Sequence, residues 1–67
     1  MKANKATADE LLDKGGDFYD KGKWNQALEC WERANEIYEG LGDKQGISSA
    51  LGNIGNIYQK RGEWERA

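Results

Sequence analysis

The 67-residue sequence has no histidine, no proline and a single cysteine. With no imidazole and one thiol there is no ordinary zinc ligand set, no nucleophile–histidine pair and no internal disulfide. No catalytic, cofactor-binding or metal residue is therefore expected, and the chain does not read as an enzyme. Lack of proline suits helix, whose interior proline breaks. No apolar run approaches the about 20 residues that span a bilayer. Charge of one sign is also lacking: 10 cations face 12 acids, for a net charge of −2. The signs are interspersed, and no basic stripe points to nucleic acid. The lysines at the start are followed by no apolar stretch, so no secretory leader is expected. A lone Cys30 suits a reducing compartment, and the cytoplasm is the expected location. Next to Trp31, that cysteine reads as a buried structural thiol. Glycine, by contrast, is plentiful, with nine residues. These form no phosphate loop, because no strand precedes them and no Lys-Ser follows at the required spacing.

What is present is an echo. Leu11 recurs as Leu51, Gly15 as Gly55, Gly22 as Gly62, Trp24 as Trp64 and Ala27 as Ala67, always 40 positions on. Phe18 and Tyr58 pair as aromatics, and Lys21 and Arg61 as cations. A fixed spacing of this size marks a repeat architecture.

Periodicity predicts an all-α chain of antiparallel helix-turn-helix repeats, three helices plus a truncated fourth. Residues 1–6 are polar and expected to fray. Thr7-Ala8-Asp9-Glu10 has the form of a capping box, opening a first helix over 8–21 that Gly22 ends in the left-handed conformation. A second helix is predicted over 24–39, with Ala27, Leu28, Trp31, Ala34, Ile37 and Tyr38 on one apolar face. Gly40-Leu41-Gly42 is expected to break it. Asp43 can cap a third helix over 44–60, which Gly62 would close before a fourth starts at Glu63. Gly46, Gly52 and Gly55 inside the third helix each cost up to about 1 kcal/mol against alanine. Close approach of a neighbouring helix is the expected reason for them.

The pattern resembles the tetratricopeptide repeat, in its longer-helix variant of about 40 residues rather than the usual period of about 34. Leu11, Gly15, Phe18, Gly22, Trp24, Ala27, Trp31 and Ala34 carry the resemblance in the first copy. Leu51, Ile54, Gly55, Tyr58, Gly62, Trp64 and Ala67 carry it in the second. The first repeat would occupy 7–40 and a second, truncated repeat 43–67. Lys14 departs from the family, which places a leucine or isoleucine there, and the proline near the repeat end is missing. The residues expected to pack the repeat are Leu11, Gly15, Phe18, Trp24, Ala27, Trp31 and Ala34. Glu10 and Asp17 are charged where Ala50 and Ile57 are apolar, so the first copy reads as a free end and the second as a packed one. Terminal repeats with a polar outer face are what solenoids require.

The resemblance implies a protein-interaction scaffold with a protein or peptide partner; composition and charge lead us to expect no nucleic acid, membrane or cofactor. Peptide-groove candidates are Asp9, Asp13, Asp20, Asn53, Asn56 and Lys60, with Leu12, Gly16, Ser49 and Gly52 among them. Asparagine both donates and accepts, so Asn53 and Asn56 could hold a peptide backbone of any sequence. The aspartates disfavour an acidic peptide. A second expectation comes from packing. A missing fourth helix would leave Leu51, Ile54, Gly55, Tyr58 and Trp64 uncovered, and a contiguous apolar stripe marks an interaction site. Self-association through this face of the last helix is expected, with a dimer favoured, either helix against helix or by swapping across 40–46. The other reading is a purely structural, self-assembling repeat unit with no outside ligand.

Overall fold

The computed structural model describes the backbone of residues 4–66 and the side chains of residues 4–62. Three helices follow one another: α1 (Lys5–Asp20), α2 (Trp24–Leu41) and α3 (Lys44–Arg66). Trp64 therefore lies outside the described side chains.

The start of α1 differs from the expected capping box. Asn4, in extended conformation, is the cap. Its side-chain oxygen accepts from the Thr7 amide at 3.0 Å and from the Thr7 hydroxyl at 3.3 Å. Asparagine is among the strongest N-caps, so the helix opens inside the segment expected to fray. The extra turn puts Ala8, fully buried, into the core.

Gly22 and Gly42 have φ of +78° and +68°, the left-handed region that glycine enters without steric cost. The Gly22 amide donates to the Tyr19 carbonyl and that of Lys23 to Phe18, closing α1. Gly40 and Leu41 continue α2, so Gly42 alone breaks it. Asp43 caps α3 as expected, its carboxylate accepting from the Gly46 amide at 3.1 Å.

The end of α3 corrects a larger expectation. Gly62 does not close the helix and no fourth helix begins at Glu63, because the α3 backbone runs unbroken to Arg66. The sequences Gly22-Lys-Trp24 and Gly62-Glu-Trp64 are near copies with opposite outcomes. At Gly22 the turn is rewarded by α2 folding back on α1. At Gly62 no described helix follows, and continuing the helical hydrogen-bond ladder is the cheaper path.

α2 is the central helix, packed against both α1 and α3. Ala8, Ala34, Tyr38 and Ala50 form one buried cluster, and Ala27, Trp31 and Ile57 the other. Leu12 packs against both, so α1 and α3 lie side by side across α2. Ala50 and Ile57 are fully buried while Glu10 and Asp17 are exposed, as the comparison of the two copies predicts.

Two glycines set the helix spacing. A methyl group on Gly15 would lie 2.3 Å from the Trp31 indole nitrogen, and one on Gly46 would lie 2.2 Å from the Tyr38 ring. Close approach is thus the role of Gly15 and Gly46. The neighbour of Gly15 is the Trp31 ring rather than the α2 alanines. Gly52 and Gly55 face open space, contrary to expectation. Cys30 is half-buried rather than buried.

Candidate interaction surfaces

Two faces of the three-helix unit carry the residues that the sequence singles out for interaction. The first is the side where α1 and α3 lie together, the expected peptide groove. Of the residues expected to line it, Asp9, Asp13 and Asp20 of α1 and Asn56 and Lys60 of α3 are exposed, while Asn53 is half-buried. Asp9 is already engaged. Its carboxylate accepts a hydrogen bond from the Tyr38 hydroxyl and pairs with Lys5 at 3.6 Å. Leu12, half-buried, serves the core, and its carbonyl accepts from the Trp31 indole at 3.0 Å.

Lys5 also reaches Asp43 at 3.3 Å and lies over the Tyr38 ring. These groups tie the start of α1 to the α2–α3 turn, and their titration reflects it. Hydrogen bonding to Asp43 raises the Lys5 pKa above its ordinary value. The Gly46 amide, with Lys5 adding to it, lowers the Asp43 pKa. Burial, with help from Asp9, pushes the Tyr38 hydroxyl up to about 12.

The second face is the open side of α3. Leu51 is 51% exposed and Tyr58 52%, one turn either side of half-buried Ile54 and open Gly55. Between α3 and α2 runs a groove, one cavity of which holds about 510 Å³ and is lined by Leu51 and Ile54 with Glu32, Asn35, Glu36 and Glu39. The Asn35 amide oxygen is buried with no hydrogen-bond partner among the described residues. Further along, Arg61 donates to the Asn25 side chain and stands over the Tyr58 ring. It shares a cavity with Gly22, Trp24 and Asn25. Sequence reasoning found the apolar stripe but not the glutamates beside it. Their spacing of three and four, which puts them on one side of α2, was the available signal.

A family model described as tetratricopeptide repeat matches residues 6–67. The chain is a tetratricopeptide-repeat protein. Comparison with the curated proteins and with the solved structures gives no match. Membership in the tetratricopeptide family indicates a protein-interaction scaffold of a typically non-catalytic kind, with protein partners. Among the described residues no helix is long and apolar enough to cross a membrane.

Proposed function

We propose that this tetratricopeptide unit is a non-catalytic, cytoplasmic interaction module that associates with itself through the open side of α3. The observation that carries the reading is the half-exposure of Leu51 and Tyr58 on a helix whose opposite side buries Ala50 and Ile57 completely. In the first copy the equivalent residues, Leu11 and Phe18, pack against the core formed with α2. Burying a large apolar side chain is worth about 1.5–3 kcal/mol, so leaving this face wet forgoes a substantial gain for a small domain. Light scattering after size exclusion tests the reading. A mass above the 7.6 kDa monomer is expected, reverting to the monomer in Leu51→Glu and Tyr58→Glu. A wild-type monomer at every concentration sinks it.

The groove face supports a second, compatible role. Asn56 and Lys60 are exposed and Asn53 is half-buried; lining a groove, they would offer donors and acceptors to a basic or neutral peptide. Replacing Asn53 and Asn56 with alanine should abolish capture from a library of extended peptides without changing oligomer size. Unchanged capture removes the groove from the proposal.

A further inference from the structure

The groove between α2 and α3 has unlike ends. At one end stand Glu32, Glu36 and Glu39 beside Leu51 and Ile54. Lys44, the first residue of α3, is the cation nearest them in sequence on that helix. At the other end Arg61 meets the turn that carries Gly22, and exposed Lys21 and Lys23 flank that glycine, with Asp20 as the acid beside them. From Lys44 to Gly62 α3 contains no acidic residue; at its last turns Lys60, Arg61 and Arg66 outnumber Glu63 and Glu65, so with Lys21 and Lys23 this end carries a net positive charge. A surface negative at one end and positive at the other complements itself when a second copy is laid on it head to tail. A two-fold axis produces that arrangement, because the same patch then meets itself reversed.

Shape agrees with charge. Twice within the chain a ring from α2 sits on a helical glycine, Trp31 on Gly15 and Tyr38 on Gly46. Gly55 is the echo of Gly15, and nothing lies within 4 Å of the position its side chain would take. One turn away on the same face, Tyr58 projects half-exposed. Two antiparallel α3 helices can therefore each offer a ring to the other's hollow.

We infer that two copies pair about a two-fold axis with their α3 helices antiparallel, the glutamate end of each groove facing the Lys21–Lys23–Arg61 end of the other, and the Tyr58 ring of each seated on Gly55 of its partner. The inference rests on the self-association proposed above and specifies its orientation.

Sedimentation equilibrium on charge-reversed chains tests the orientation. One variant carries Glu36→Lys and Glu39→Lys, the other Lys21→Glu and Lys23→Glu. All four positions are exposed and their side chains have no described bond, and circular dichroism checks that the helices persist. Each variant alone should dimerise roughly tenfold or more weakly than the wild type, because like charges would then face one another. An equimolar mixture of the two should recover the wild-type affinity as a heterodimer, and added salt should weaken the wild-type dimer. Dimers of unchanged affinity in each variant overturn the orientation while leaving self-association standing. A wild-type monomer overturns both. Gly55→Leu fills the hollow and should also lower affinity; a dimer indifferent to it overturns the seating of the ring.

Discussion

Gly15 and Gly52 are chemically identical residues inside helices, yet alanine should have opposite effects at the two. At Gly15 the added carbon falls on the Trp31 indole. Either the ring moves and weakens its bond to the Leu12 carbonyl, or α1 shifts away from α2. Overpacking of this kind costs about 1–3 kcal/mol. At Gly52 the carbon enters open space, so the gain in helix propensity should stabilise the fold by up to about 1 kcal/mol. Urea denaturation of both variants measures the contrast. Tyr38 gives a second test at this scale. Its folded pKa, about 12, is raised from an ordinary value of 10.0. The protonated hydroxyl is thus the form the fold favours. Its contribution is complete below pH 10 and disappears as pH climbs through 12. Ultraviolet titration should show one tyrosinate step near pH 12 that Tyr38→Phe removes. Lys5, whose pKa is also raised, loses its contribution on the same alkaline side.

At the scale of the element, α3 depends on Asp43. Because the Asp43 pKa is lowered in the fold, its contribution is present above the ordinary carboxylate value and lost as pH falls through the folded value. Asp43→Ala should lower the melting temperature at neutral pH. The difference from wild type should vanish in acid, where both lack the charge; thermal scans by circular dichroism across pH check it. The elements also show what a sequence can reveal by itself. Gly22 and Asp43 act locally, through their own backbone and the next turn, and their roles were legible. The start of α1 was misplaced because Asn4 and Thr7 are both good caps, and only the burial of Ala8 one turn later decides between them. The course of α3 past Gly62 was illegible for a deeper reason. Glycine permits a left-handed turn without requiring it, and the choice belongs to whatever packs afterwards. The same limit applied to the candidate surfaces. The apolar stripe could be read by comparing the copies, but the engagement of Asp9 by Tyr38 joins residues 29 apart in sequence.

The whole molecule is three helices with extents of 43 × 20 × 14 Å. Its side-chain core is correspondingly thin, and Tyr38 and Ile57 are its largest fully buried side chains. Ile57→Ala should cost about 2–5 kcal/mol. In a domain whose total stability is of that order, the change should leave the chain largely unfolded at 37 °C, read as loss of far-ultraviolet helical signal. Both rings that sit on glycines, Trp31 and Tyr38, belong to α2. Opening α1 removes the Asp9 bond to Tyr38 but leaves its ring over Gly46 of α3, and opening α3 removes Ile57 from Trp31 but leaves that ring over Gly15 of α1, whereas α2 cannot leave without unseating both. That asymmetry gives the molecule an order of events. Amide hydrogen exchange should be slowest in the middle of α2, through complete unfolding alone, and faster in the two flanking helices, which have private routes to solvent. The central helix then acts as the clock of the fold, and its slowest amides report the lifetime of the folded chain.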